Sequence, residues 1–234
     1  MKKLLTFAVA SFAIAAVSGY TAPQIGVTTI TATAKNTIIP VPFKALSDGT
    51  SNITVTDLVK TNSLPNYTWL LSYDGTQYNS WQYNEGQWQA AYYSNESGSK
   101  AGSLSSQLTC GGAIWIVLPD AESYNVPVTI YGAYATGVTS AVAAGAGDSG
   151  AVASLVANPL QKAATITVTP VAGDQIIIPD EEAIYTYKVK GETGSWRKGG
   201  KSVSLPSSFA VGKGFWYVRA ADGAATEISW AAVN

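Results

Sequence analysis

The residues best suited to chemistry lie between Tyr73 and Tyr93, where aromatic rings are interleaved with amide side chains. The candidate ligand contacts in this stretch are Tyr78, Trp81, Gln82, Tyr83 and Trp88. Flat rings cover the apolar C–H faces of a sugar, and amides both donate to and accept from its hydroxyl groups. The stretch predicts a carbohydrate-binding surface if its rings are exposed. The alternative is that the rings face the core of a hairpin, because tyrosine-rich strands are common in β proteins.

Most catalytic schemes are excluded by the composition, because the chain has no histidine and one cysteine, Cys110. Without these residues there is no Ser-His-Asp or Cys-His relay, no histidine metal ligand, no thiolate zinc site and no internal disulfide. A hydrolase would need two carboxylates flanking its substrate. The acidic clusters, residues 180–182 and Asp120 with Glu122, begin directly after prolines, as exposed turns do. We therefore predict no catalytic residue and a non-enzymatic protein, with a histidine-free carboxylate hydrolase as a third alternative.

No metal site or cofactor is predicted. Residues 48–52, with Asp57 nearby, offer oxygen atoms of the kind that Ca²⁺ prefers, but they lack the spacing of a calcium-binding loop and indicate a turn. Lys100 precedes the serines of residues 103–106, and nothing in the sequence fixes a Ser-Lys geometry. Cys110 is expected to be a small buried side chain, with a disulfide between chains as the alternative.

The N-terminus has the layout of a secretory signal peptide over residues 1–19. A basic Met1-Lys2-Lys3 precedes an uncharged run from Leu4 to Val17, and small residues follow. This run is shorter than the roughly 20 residues that span a bilayer as a helix. We therefore expect a bacterial protein that is secreted or held at the cell surface, with no membrane span after cleavage. A net charge of −1 provides no basic surface for nucleic acid.

The rest of the chain predicts an all-β protein of antiparallel sandwich or barrel type. Short β-branched and aromatic runs, such as Ile114–Leu118, alternate with clusters of Gly, Asn, Pro and Asp. Asp74-Gly75 ends one such run and is typical of a hairpin turn. No segment after the signal peptide shows sustained helical periodicity.

Two copies of one plan follow each other along the chain. The matched landmarks are 36–43 with 153–160, 67–75 with 184–191, Ser80-Trp81 with Ser195-Trp196, 112–117 with 213–218, and 128–131 with 226–230. Their common order predicts tandem pseudo-repeated modules, module 1 over residues 20–132 and module 2 over residues 151–234. A linker rich in Gly, Ala and Ser is expected over residues 133–150. The landmarks leave open whether the modules are separate domains or one intertwined unit.

Residues 156–160, 185–187, 195–196 and 211–218 resemble a β module that occurs, often in tandem, in uncharacterised secreted and surface proteins of Gram-negative bacteria. That module contains an Asn-Pro-aromatic turn, a Tyr-x-Tyr strand and a Gly-x-Gly-Phe-aromatic-Val strand in this order. Module 1 departs from it at Val41-Pro42 and at residues 111–114. The resemblance implies secretion and a β architecture, and it carries no active site.

The expected function is that of a secreted structural or adhesive protein of the bacterial surface or matrix. Its expected partners are glycans or a surface layer or matrix, and copies of itself. The alternative is a carbohydrate-binding module that uses the aromatics of module 1. In this scheme Trp115 and Trp216, each in the most apolar run of its module, are core residues, whereas Trp81 and Trp88 are exposed.

Overall fold

The computed structural model describes residues 25–33, 36–58, 64–93, 98–119, 125–135 and 137–233. The predicted signal peptide, residues 1–19, lies outside the described residues. The described part of the chain is all-β, with 54% of its residues in strands and no helix of seven residues or more. Over the same residues, no helix has the length and apolar character needed to cross a membrane.

The first half of the fold contains two antiparallel sheets. Its strands are β1 (Ile25–Thr33), β2 (Asn36–Pro40), β3 (Phe43–Lys44), β4 (Ile53–Thr54), β5 (Thr68–Tyr73), β6 (Tyr78–Asn84), β7 (Gln87–Ala90), β8 (Ser99–Ala101), β9 (Gln107–Leu108), β10 (Ala113–Val117) and β11 (Asn125–Tyr134). Sheet A has the order β1-β11-β3, and sheet B has the order β2-β10-β5-β6-β7, with β8 parallel to the start of β6. Strands β4 and β9 form a separate pair, and a 3-10 helix spans Val55–Leu58.

The second half repeats this strand order. Its strands are β12 (Thr139–Val142), β13 (Val152–Ala157), β14 (Ala164–Thr167), β15 (Gln175–Ile178), β16 (Ala183–Lys190), β17 (Thr193–Lys198), β18 (Lys201–Ser202), β19 (Gly214–Arg219) and β20 (Thr226–Ala232). Sheet C has the order β12-β20-β14, and sheet D the order β13-β19-β15-β16-β17-β18. In each half the strand before the last, β10 or β19, pairs with the edge strand, β2 or β13, and with the first strand of the hairpin, β5 or β15.

The segment predicted as a linker, residues 133–150, takes part in the sheets. It holds the end of β11, the whole of β12 and a 3-10 helix over Gly147–Ser149. Ser140 and Val142 point into the structure and are buried, and β12 pairs with β20 along its length. The small residues of this segment predicted a connection without secondary structure. Alternate side chains from Thr139 to Val142 instead point inside, as they do in a half-buried strand.

Each half has its own apolar cluster, built from both of its sheets. Along β11 the buried Val126, Val128 and Ile130 alternate with outward residues, and they pack with Leu70 and Ile116 of sheet B. The second cluster joins sheets C and D in the same manner. The two-residue period thus gives a strand such as β11 one apolar face. Burial of such faces between two sheets holds each pair of sheets together.

A third cluster lies where the two halves meet. Its buried members are Ile38 and Ala113 of sheet B with Leu155 and Ala157 of sheet D, and the indoles of Trp115 and Trp216 pack against them. The Ile38 side chain packs directly on the backbone of Gly214, where an added Cβ would lie 2.1 Å from Ile38 Cγ2. Two separate sandwiches would leave the outward faces of sheets B and D in water. Here each of these faces is partly covered by the other half. The sheets form a four-bladed, propeller-like arrangement, and the predicted pair of sandwich modules is wrong.

The pairing register corrects two of the sequence landmarks. Ile116 on β10 lies opposite Leu70, which lies opposite Trp81. In the second half Tyr217 on β19 lies opposite Ile176, which in turn lies opposite Tyr185. Trp81 therefore corresponds to Tyr185, and the landmark that paired Trp81 with Trp196 is displaced by one strand.

Trp88 is the residue that corresponds to Trp196. Tyr83 lies opposite Trp88 with ring centroids 5.3 Å apart, and Tyr187 lies opposite Trp196 at the same 5.3 Å. The match of residues 67–75 with 184–191 is displaced in the same way, because it pairs β5 with β16. The prediction matched residues 67–73, which contain β5, to β16, whereas β6, which contains Tyr78 and Tyr83, occupies the position of β16 in the sheet.

Candidate functional site

The predicted aromatic platform is not on the surface. Trp81 is 1% exposed, Trp88 is 4% exposed, and Tyr83 is also buried, so the prediction that these rings are open to solvent is wrong. All three belong to the apolar cluster of the first half. The Trp81 indole donates to the backbone oxygen of Ser103 at 3.1 Å, and a Cβ on Gly102 would lie 2.2 Å from its ring. A ligand could not reach these rings without unfolding the hairpin.

Alternation explains why rings set among amides are buried. On β6, Trp81 and Tyr83 point inward into the apolar cluster of the first half, whereas Gln82 and Asn84 point to the other face and are half-buried. Trp88 on β7 joins the inward face because it lies directly opposite Tyr83. The side-chain amides of Gln82, Asn84 and Gln89 need no partner in the core, because none of them points there. The two-residue turn at Glu85-Gly86 would have revealed this pairing in the sequence.

The other two predicted contacts, Tyr78 and Gln82, lie on the outward face of sheet B and are half-buried. The structure therefore separates the five predicted residues into two groups on opposite sides of one sheet. The outward group has neighbours that the sequence did not single out. Trp69 lies directly opposite Gln82, and Gln82 lies opposite Gln89 on the next strand.

These residues define a surface that we call the Trp69 face, made of Trp69, Gln82, Gln89 and Tyr93. The Tyr93 ring meets the Trp69 ring edge-on, with centroids 5.3 Å apart. Gln89 and Tyr93 are exposed, and Trp69 and Gln82 are half-buried. From Trp69 to Gln89 the row crosses three strands and spans about 10 Å. Two rings and two amides thus form a single outward surface. The sequence predicted such a surface for Trp81, Tyr83 and Trp88, and those rings are buried.

A second aromatic group lies where the halves meet. Trp216 reaches across from sheet D and packs edge-on against Tyr73, with centroids 5.3 Å apart, and lies near Tyr78 and Trp115. All four rings are half-buried, so Trp115 and Trp216 are not the fully buried core residues that the sequence predicted. They lie on the outward faces of the central strands, which the opposite half covers only in part.

A cavity of about 450 Å³ lies beside this aromatic group. Its lining is largely alanine, glycine and aliphatic side chains from both halves. Asp74 reaches it, but its carboxylate already accepts from Thr76, Gln77 and Lys100. The cavity brings together no pair of groups suited to acid–base chemistry.

Asp174 is a charged residue buried in the second half that the sequence did not single out. It is fully buried, with Arg219 and Tyr217 bonded to the same carboxylate oxygen at 2.7 Å and 2.6 Å. Backbone amides of Val171 and Ala220 also donate to Asp174. Burial and the neighbouring carboxylate raise the pKa of the Tyr217 hydroxyl well above its usual range. Every bond in the group is internal, so its role is structural.

The exposed carboxylates of the first half are likewise engaged by their own turns. The Ser51 hydroxyl and the backbone amides of Ser51 and Thr50 lower the pKa of Asp48 to about 2. Partial burial opposes ionisation of Asp74, but hydrogen bonds from Gln77, Lys100 and Thr76 outweigh it and hold the pKa of Asp74 well below its usual range. Asp74 pairs with Lys100 at 2.9 Å.

The oxygen-rich segment at residues 48–52 forms a turn whose oxygen atoms accept hydrogen bonds from neighbouring residues. Asp48 caps the turn, Asn52 accepts from Lys44 at 2.8 Å, and Asp57 accepts from Thr54. Among the described residues there is no cluster of three or more acidic or cysteine side chains that could hold a metal. Cys110 is a free, buried thiol, and burial raises its pKa.

No protein-family model, curated protein or solved structure matches this chain.

Proposed function

We propose that the protein is an exported, non-enzymatic protein of the bacterial surface or matrix, and that it adheres to saccharide through the Trp69 face. The export is inferred from the N-terminal sequence, and the adhesion from the outward row of Trp69, Gln82 and Gln89 with the Tyr93 ring beside it. This row is the single observation on which the binding proposal depends.

The chemistry of the Trp69 face fits a sugar better than it fits an ion or a charged peptide. The face contains no charged side chain, so it offers no Coulombic attraction. The indole supplies a flat apolar surface for sugar C–H groups, and the amides of Gln82 and Gln89 supply donors and acceptors for hydroxyl groups. Gln82 was among the contacts expected from the sequence, and it is joined here by neighbours on the adjacent strands.

We further propose that the two halves are copies of one ancestral unit. Support comes from the shared strand order, the matched Tyr83–Trp88 and Tyr187–Trp196 pairs, and a turn shared at Tyr67 and Gly173, both of which have positive φ. On this proposal the Trp69 face is specific to the first copy. The corresponding positions of the second copy hold Gln175, Thr186 and Arg197.

The test is binding of residues 20–234 to a panel of immobilised bacterial polysaccharides. Trp69→Ala should weaken binding at least tenfold, equivalent to about 1.4 kcal/mol. Trp69→Phe should retain part of the binding, because it keeps a flat ring at that position. Gln89→Ala should weaken binding several-fold.

The matched control is Gln175→Ala, which changes the corresponding position of the second half and should leave binding unchanged. Melting curves of each variant separate lost binding from lost folding. Equal binding by the Trp69→Ala and Gln175→Ala variants, or no binding of the wild type to any polysaccharide, would contradict the proposal.

A further inference from the structure

Strand β1 forms an open edge of sheet A. It pairs with β11 on one side, and within the described residues no strand pairs with its other side. Nine residues long, it contains no charge and no proline. Natural sheets usually protect such an edge with a lysine, a proline or a bulge, because its unpaired backbone groups can receive another strand. The outer strand of sheet D, in contrast, carries Lys201 opposite Lys198.

The outward face at this edge is apolar as well. Ile25 is 65% exposed and Val27 is 48% exposed, and Tyr131, which lies opposite Val27 on β11, is exposed beside them. Unpaired backbone groups and exposed β-branched side chains thus coincide at the N-terminal end of β1. Towards its C-terminal end the edge is partly occupied, because the loop that holds Gly212 lies against Ile30. The open part is therefore residues 25–29.

Between residues 25 and 234, no segment outside the described ranges has the length to close this edge. A covering strand would need about five residues and a turn of two or more. Apart from residues 1–24, each undescribed segment has at most five residues. Cleavage after residue 19 would leave only residues 20–24 ahead of β1. The inference rests on the proposed export for this last step.

We infer that residues 25–29 pair antiparallel with the same residues of a second copy, around a two-fold axis at Val27. In this register Ile25 lies opposite Thr29 of the second copy and Val27 lies opposite Val27. The absence of charge places no like charges opposite each other. Sheet A then continues across the axis, and the outward side chains of Tyr131, Val27, Val27 and Tyr131 pack side by side in one row across the four strands. The interface is isologous, as most closed dimers are.

The oligomeric state of residues 20–234, measured by sedimentation velocity over a range of concentrations, tests this pairing. The wild type should be a dimer at high concentration, and Val27→Lys should be a monomer with an unchanged melting temperature. The matched control is Ala141→Lys, which places the same charge on the exposed face of β12, the corresponding edge of sheet C. This control should remain dimeric.

Crosslinking gives a second measurement that does not depend on a disruptive charge. In antiparallel pairs directly opposite Cα atoms lie about 4.5–5.5 Å apart, which is within the range that a disulfide bridges. Val27→Cys should form a disulfide-linked dimer under mild oxidation, whereas Ala141→Cys should not. The wild type is the baseline, because its one thiol, Cys110, is buried.

A wild type that stays monomeric at every concentration, or a Val27→Lys variant that dimerises like the wild type, would overturn the inference. The proposed adhesion is measured separately. The Val27→Lys variant should bind polysaccharide with the same affinity per chain as the wild type. Intact mass of the exported protein shows whether residues 1–19 have been removed. A leader that is retained and covers β1 would contradict both the export proposal and this pairing.

Discussion

The two halves of the molecule share one backbone plan but fill its interior and its outward face with different side chains. In the first half, the positions that correspond to Asp174, Tyr217 and Arg219 hold Thr68, Ile116 and Leu118, all of them buried. The first half therefore has an apolar interior, whereas the second has a charged pair at its centre. One sheet geometry accepts both interiors: apolar side chains pack in the first half, and Tyr217 and Arg219 donate hydrogen bonds to Asp174 in the second.

The outward faces differ as well, and here too the charged side chains belong to the second half. The first half presents Trp69 and two glutamines, whereas the second presents Gln175, Thr186 and Arg197. A surface rich in lysine follows on β16 to β18 of the second half. The comparison shows that a repeated fold fixes which positions are inside and outside, while the residues at those positions remain free to diverge.

Removing one member of the charged group should have the largest effect. Asp174→Ala should lower the free energy of unfolding by about 3–5 kcal/mol, because it leaves the buried Arg219 without its partner. Thr68→Ala, the corresponding change in the first half, removes only a hydroxyl that donates to Pro65 at 2.8 Å and should cost about 1 kcal/mol. Urea unfolding of the two variants measures the difference.

Replacing the charged group of the second half with the corresponding residues of the first half sharpens this test. A triple variant, Asp174→Thr with Tyr217→Ile and Arg219→Leu, removes the charges together and should recover most of the stability lost by Asp174→Ala. If the triple variant unfolds as readily as the single one, the two interiors are not interchangeable and the correspondence between the halves fails at this position.

The buried tryptophans of the first half should come next. Trp81→Ala and Trp88→Ala should each cost about 3–5 kcal/mol through loss of a buried ring and the cavity that remains. Trp196→Ala, at the position that corresponds to Trp88, should cost less, because its ring is only partly buried. Thermal melts of the three variants check the order, and a Trp196 variant as unstable as the Trp88 variant would contradict it.

A smaller effect is expected at the turn that precedes the hairpin strands. Tyr67 has φ of +67° where the second half has Gly173 with φ of +96°, and in this region a side chain costs about 1 kcal/mol. Gly173→Ala should therefore destabilise the protein by about 1 kcal/mol. Tyr67→Gly should change stability by less, since glycine relieves the strain but loosens the unfolded chain. Chemical denaturation of both variants distinguishes the two turns.

Acid should act on the turn at Asp48 in the first half. Because hydrogen bonds lower the folded pKa of Asp48 to about 2, the stability that its ionisation contributes is complete above the ordinary value of 3.8 and is lost as the pH falls through 2. Melting temperatures measured between pH 5 and pH 2 should decline less steeply for Asp48→Asn than for the wild type. Identical slopes would show that this turn does not contribute.

Much of the local structure could be predicted from the sequence. The continuous β-branched and aromatic run Ile114–Val117 predicts a strand and the Asp74-Gly75 turn predicts a hairpin, and both are present. The all-β class follows from such runs and is confirmed. The candidate site was less predictable, because choosing rings by their polar neighbours gave Trp81 and Trp88, whose neighbouring amides simply point to the other face.

The sequence by itself determined that this chain forms short strands, where many of them turn, and which side chains share a face, because the two-residue period of a strand is local. Only the tertiary structure decided which of the two faces is buried. Sheet B is covered on one side by sheet A and on the other, in part, by the second half, so Trp81 became core while Trp115 stayed half-exposed. The bond between Asp174 and Arg219 likewise joins residues 45 positions apart, a proximity that arises from the pairing of β15 with β19 and that no local pattern encodes.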